Sequence, residues 1–228
     1  MGHTRSLAEA TSEFRWLQAG LDNWTKRVAQ YAETWSSRND DLRDAAYWHS
    51  ERATASVLVA ALAQTGADVL SEYTCERIEQ GSTSRRGRTD IWCSEGSRDG
   101  TIIEAKQIWP DGRNVLKTEL GKAFRAARAQ LQSEHNLAPD TQRLSVVFAV
   151  PRILGEDHVE DPAAPFLEYL NTVAKKDVLC GAAGFAWCFP GNARQLRGVW
   201  AGAKGHVFPG VLAVVRREEP LGSGCHRG

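Results

Sequence analysis

The chain has 228 residues, 42% hydrophobic and 25% charged, the composition of an ordinary globular protein rather than a disordered or fibrous one. Its 28 basic residues balance 28 acidic ones, so no global field draws in nucleic acid, and a polyanion would have to be held by local patches. No apolar run approaches bilayer-spanning length and the polar N-terminus does not read as a secretory signal, so the expectation is a cytoplasmic protein without a membrane partner.

In chain order, Phe14, Leu17, Leu21, Trp24, Val28, Tyr31 and Trp35 recur with an alternating three-four spacing, and Leu7 and Ala10 extend it backwards. This predicts a helix running to about Ser36. The flanking Gln18, Gly20, Thr25, Ala32 and Thr34 carry no complementary charges, and bulky aromatics fit a parallel dimer seam badly. The helix is therefore expected to pack on its own domain rather than form a coiled coil. The polar break SRNDDLRD leads into a second helix, Leu42 to about Gln64.

ADVLSEYTCERIEQG predicts a strand over Asp68–Glu79, and the turn-like GSTSRRGR leads to a second strand, RTDIWCS. After the turn SEGSRDG comes a third strand, TIIEAKQIW, stopped by Pro110, Asp111 and Gly112. A helix over Val115–Glu134 carries Leu116, Leu120, Phe124, Ala127 and Leu131 on one face. The β-branched run Arg143–Val150 predicts a buried central strand. A helix near Pro165–Lys175 and strands near Gly184–Phe189 and Gly210–Arg217 follow.

The expected fold class is α/β, a mixed sheet flanked by helices. Residues 1–40 are read as an N-terminal helical extension, 41–218 as one domain with extra C-terminal strands, and 219–228 as a disordered tail. The five cysteines, Cys75, Cys93, Cys180, Cys188 and Cys225, are odd in number and have no close Cys or His partners. That argues against a disulfide framework or structural zinc, and the first four are expected in the core.

Within TIIEAKQIW, strand alternation places Ile102, Glu104, Lys106 and Ile108 on one face. Asp90 opens the preceding strand, so a hairpin can bring it beside Glu104. Two close carboxylates repel each other, and Lys106 offsets only part of their charge. A divalent ion would do better, and oxygen ligands favour a hard one, Mg²⁺ or Mn²⁺. On the preceding helix, Trp48, Glu51, Ala55, Leu58 or Val59, and Leu62 fall on one stripe. An unpaired carboxylate there would cost roughly 2–7 kcal/mol, so Glu51 needs a partner.

Asp at a strand start ("RTD", 88–90), then Glu-x-Lys on the next strand ("IIEAK", 102–106), flanked by helices in this order, resembles the PD-(D/E)xK nuclease superfamily. The helix–three strands–helix–strand order over roughly 42–150 is that of its restriction-endonuclease-like core. Thr89 stands where many members have proline. The resemblance implies a Mg²⁺-dependent deoxyribonuclease, with Mn²⁺ able to substitute, acting in defence, restriction or repair. It implies metal ligation by Asp90, Glu104 and the carbonyl of Ala105, with Glu51 as the acid from the helix. Lys106 would orient water or stabilise phosphoryl charge.

Gln107 and Gln130 are candidates for assisting the site, and Glu72 is the fallback for the helix acid. His49 and Asp157-His158 are read as surface residues. Basic patches at Arg85, Arg86 and Arg88, at Lys117, Lys122, Arg125 and Arg128, and at Arg194, Arg197 and Lys204 are the candidates for holding a polyanion, and the resemblance assigns DNA phosphates to Arg85, Arg86, Arg88, Lys122, Arg125 and Arg128. The alternative is a silent or partner-activated subunit of the same fold, and a homodimer or an activating protein is the expected kind of partner.

Overall fold

The β-branched run that predicts a central strand does form one, with chain paired along both of its edges. A computed structural model describes residues 3–8, 15–38, 45–78, 84–95, 100–111, 113–135, 137–138, 140–154, 182–191 and 206–219. The N-terminal half comprises β1 (His3–Ala8), α1 (Arg15–Arg38), α2 (Ala46–His49), α3 (Glu51–Ala63), β2 (Asp68–Ile78), β3 (Ser84–Ser94) and β4 (Thr101–Ile108). Then come α4 (Arg113–Ser133), β5 (Glu134–His135), β6 (Gln142–Ala149), β7 (Ile153–Leu154), β8 (Ala182–Phe189), β9 (His206–Val207) and β10 (Val211–Arg217). The predicted helix at 165–175, the patch at Arg194, Arg197 and Lys204, Asp157-His158, Cys180 and Cys225 lie outside the described residues.

Among the described residues, eight strands form one mixed sheet in the order β1-β8-β10-β6-β4-β3-β2-β5, and β7 and β9 pair separately. β4 and β6 run parallel, joined through α4, while the neighbouring pairs are antiparallel. One face packs Ile91, Ile103, Ala105, Val146 and Phe148 against α1 and α3. The other packs Val147, Phe185, Trp187 and Val214 against Leu116, Leu120 and Phe124 of α4. With both faces covered, the central strands read as continuous apolar runs. Glu104 on β4 is the buried charge among them.

Four expectations are corrected. Residues 3–8 form a strand paired to β8 rather than a backward extension of the first helix, so they close one sheet edge. α1 buries Trp16, Leu17, Leu21 and Trp24 in the same core. Second, α1 buries Leu17, Leu21, Trp24, Val28 and Ala32, leaving Tyr31 exposed. A straight helix of 3.6 residues per turn drifts off a 3.5-residue seam, so the buried stripe shifts by one position within two heptads. Gly20 allows this close packing, since a Cβ there would lie 2.5 Å from Leu62 Cδ2.

Third, the second predicted helix is broken at Ser50, whose extended backbone and side chain, accepting from the Ala53 amide at 3.3 Å, cap the start of α3. Fourth, Ser84–Arg88 belong to β3 rather than to a turn, because β2 continues to pair with them as far as Ile78. Cys75, Cys93 and Cys188 are buried and free, as expected of core thiols.

Candidate functional site

The site is built on a fork in the sheet. β3 and β4 pair at Cys93–Thr101, Trp92–Ile102 and Ile91–Ile103, and there the ladder stops. β4 continues beside β6 through Ile108. Its next free amide, that of Ala105, donates to Asp90 Oδ2 at 2.7 Å. The carboxylate thus takes the place of a ladder carbonyl at the point where the strands part.

Glu104 is 1% exposed. Its Oε1 accepts from Lys106 Nζ at 2.9 Å, and the same ammonium donates to the Ala105 carbonyl at 2.7 Å. Glu51 reaches the fork from the first turn of α3. Its Oε2 accepts the Gln107 amide at 2.9 Å, and its Oε1 lies 3.9 Å from Lys106 Nζ. The cap at Ser50 is what makes this possible, because it starts the helix at Glu51 instead of placing that residue mid-helix.

The electrostatics are those of crowded, desolvated carboxylates. Burial pushes the Glu104 carboxyl up to about 7, with the Asp90 charge adding to the rise and Lys106 and Arg77 opposing it. Asp90 is raised chiefly by burial, against the Ala105 hydrogen bond and Lys106. Glu51 is raised by burial too, against Lys106. Burial leads at all three acids, and the neighbouring cations offset it only in part.

Two residues that the sequence reading missed stand beside Glu104. Arg77 of β2 brings Nη2 to 3.4 Å from Glu104 Oε2 and 3.3 Å from Glu134 Oε1. Glu134, buried at the start of β5 directly after α4, also accepts from Thr89 Oγ1 at 2.6 Å. The signal for Glu134 was present: it follows Leu131 by three positions, in line with the inward face of the helix expected to run to Glu134. Arg77 had only its place two residues after the buried Cys75, a weak cue on an otherwise polar strand.

Ionised, Glu51, Asp90, Glu104 and Glu134 outnumber the two cations that touch them, Lys106 and Arg77, by two charges. The chemistry of the donor set fits a hard divalent ion. Asp90, Glu104 and the Ala105 carbonyl offer only oxygen, and the shortfall equals a dication's charge. Among the described residues, however, no three His, Cys, Asp or Glu side chains are grouped at metal-holding distance. It is the Lys106 ammonium that holds the Glu104 and Ala105 oxygens.

The other candidates lie around this centre. Gln107 points away from the fork, accepting from Thr54 Oγ1 at 2.6 Å and donating to the Tyr47 carbonyl at 3.1 Å; it ties β4 to α2 and α3. Glu72 pairs with Arg52 and Arg88 at 3.1 Å each and is the described non-glycine residue with positive φ, 55°. Gln130 is half-buried on α4, with its carbonyl accepting from Ser133. His49 is exposed.

Of the basic residues, Arg85, Arg86 and Arg88 lie on β3, and Arg86 and Arg88 are exposed. Lys117, Lys122, Arg125 and Arg128 are exposed on α4, and Arg128 approaches Glu218 at 3.7 Å. A groove of about 570 Å³ opens beside Lys106, with Trp109, Lys122 and Arg152 in its wall. No helix among the described residues is long and apolar enough to cross a membrane. No protein-family model matches the chain, and neither a characterised protein nor a solved structure matches it.

Proposed function

We propose that the protein is a metal-dependent nuclease of the PD-(D/E)xK type that hydrolyses phosphodiester bonds in DNA. The observation that carries this reading is the convergence at the β3–β4 fork of Glu51, Asp90, Glu104 and Lys106, acids and base drawn from three elements. An ordinary ion pair along one strand would account for Glu104 and Lys106 alone. It would not account for two further carboxylates brought to the same place at the cost of desolvation.

Asp90, Glu104 and the Ala105 carbonyl, with Glu51, would hold Mg²⁺ or Mn²⁺, which supplies Lewis-acid polarisation of the phosphate and a more acidic water. Lys106, freed from Glu104, would place its ammonium where charge builds on the phosphoryl oxygens. Lys122 stands in the wall of the groove beside Lys106, and with the other exposed basic side chains of α4 would hold flanking phosphates.

One observation favours a second reading, a partner-activated subunit of the same fold. The Lys106 ammonium already occupies the oxygens expected to bind the ion, a self-neutralised arrangement that a partner would have to open. Purified protein incubated with Mg²⁺ or Mn²⁺ and supercoiled, linear or single-stranded DNA, or RNA, separates the two. Cutting of DNA unaided supports the nuclease, and cutting only after a cognate factor is added supports the activated subunit. Absence of cutting under both conditions would remove both readings.

A further inference from the structure

Arg77 is placed with unusual care for a residue on a strand near the sheet edge. It lies directly opposite Arg85 of β3 and Glu134 of β5, where β2 has partners on both sides. Its stem crosses Gly87, where a Cβ would lie 2.4 Å from Arg77 Cδ, so only glycine leaves the path clear. Its head donates to the Arg88 carbonyl and stands between two buried carboxylates, Glu104 and Glu134. The Arg77 side chain is 12% exposed and that of Glu134 is 0% exposed.

The partners of Glu104 divide cleanly between its two oxygens. Oε1 faces Lys106, and Oε2 faces Arg77. Ser145, its neighbour across the parallel ladder to β6, donates to Glu218 and is engaged elsewhere. Glu134 is anchored in turn by the Thr89 hydroxyl, one residue before Asp90. The chain of interactions Glu104–Arg77–Glu134–Thr89 therefore runs behind the fork and returns to the strand that carries Asp90.

We infer that Arg77 is a positioning residue for the proposed metal site, fixing Glu104 through Oε2 so that Oε1 is presented at the fork beside Asp90. Both carboxylates lie on one nitrogen, Nη2, whose direction is fixed by the planar guanidinium, a constraint that a flexible ammonium does not reproduce. Glu134 serves as the far anchor that keeps the guanidinium from turning to Glu104 alone or to solvent. What Glu104 is positioned for rests on the nuclease reading; that it is positioned by Arg77 does not.

The test uses the full chain with Arg77→Met, Arg77→Lys and Gly87→Ala, the last displacing the arginine stem while keeping its charge. Two readouts are taken. Crystal structures give the Glu104 rotamer, and Mn²⁺ affinity is read from the electron paramagnetic resonance signal of free Mn²⁺, independently of cutting. The Glu104 carboxylate is expected to leave its place in Arg77→Met. Mn²⁺ affinity is expected to fall by about tenfold or more, with partial recovery in Arg77→Lys and a smaller fall in Gly87→Ala. Should Arg77→Met fail to fold, Gly87→Ala carries the test alone. An unmoved Glu104 in the folded variants would overturn the inference whatever the ion does. If Glu104 moves but wild type binds no Mn²⁺, the positioning stands and the metal-site reading falls.

Discussion

Asp90 and the amide of Ala105 are joined at 2.7 Å across the gap where β3 and β4 separate. A side-chain carboxylate substitutes there for a missing ladder partner, and in doing so it sets the separation of the two strands that carry the acidic residues. The same hydrogen bond leaves Asp90 half-buried, beside Glu104 and without a salt bridge among the described residues. That crowding governs how the protein should respond to pH and to substitution.

Stability should depend on pH with a sign opposite to that of a salt-bridged carboxylate. The Glu104 carboxyl is raised from 4.5 to about 7, chiefly by burial. The folded state therefore holds the proton more tightly than the unfolded chain does. This contribution is complete below about pH 4.5 and is lost as pH rises through about 7, a swing of roughly 3 kcal/mol. Asp90 and Glu51 are shifted in the same direction. Without divalent ions, urea midpoints should fall between pH 5 and pH 8, and Glu104→Gln should flatten that fall. Parallel pH profiles for variant and wild type would contradict it.

Glu51 and Glu72 should part company. Glu51→Gln removes an acid at the fork and is expected to lower Mg²⁺-dependent cutting by about 10- to 100-fold or more. Glu72→Gln removes exposed pairs with Arg52 and Arg88 worth about 0–1 kcal/mol and should leave cutting within about twofold. Glu72→Gly should recover roughly 1 kcal/mol by relieving the left-handed backbone at φ 55°. Equal losses in the two glutamine variants would show that the helix acid is misassigned.

Gln107 acts as a brace. Gln107→Leu removes the side-chain donor to the Tyr47 carbonyl and leaves the Thr54 hydroxyl to the Ser50 carbonyl alone, and should cost about 1–2 kcal/mol in chemical denaturation. Glu51 accepts from the backbone amide at 107, which leucine retains. Cutting should therefore suffer less than from Glu51→Gln.

The basic face of α4 should govern salt dependence. Replacing Lys122 and Arg125 with glutamate should weaken DNA binding. It should also make the dependence of log affinity on log salt shallower by about 0.9 for each phosphate that is no longer neutralised. An unchanged slope would place the DNA elsewhere.

Much of this site could be read from the sequence because its signals are local. Two charges interrupt an apolar strand at Glu104 and Lys106, an acid opens the neighbouring strand, and another lies on a helical stripe. Each is a period-two or period-3.6 observation within about ten residues. Ser50 carried a further signal, a serine directly before an acidic first turn, which marks a helix start where one continuous helix was expected.

What stayed hidden depends on long-range pairing. Glu104 and Arg77 are 27 residues apart, and Arg77 and Glu134 are 57 apart. Arg77 reaches Glu104 across β3 and meets Glu134 where β5 pairs with β2, and no local pattern announces that strand order or a two-residue strand. The strand at residues 3–8 was hidden for the same reason, since its partner β8 lies near the other end of the chain.

The most direct test of the central claim is cleavage of supercoiled plasmid DNA in Mg²⁺ by wild type beside Lys106→Ala, with folding of both checked by circular dichroism. The account predicts nicked or linear product from wild type, none with chelator in place of Mg²⁺, and a loss of at least about 100-fold in the variant. Equal cutting by the two proteins, or cutting that survives removal of the ion, would contradict it.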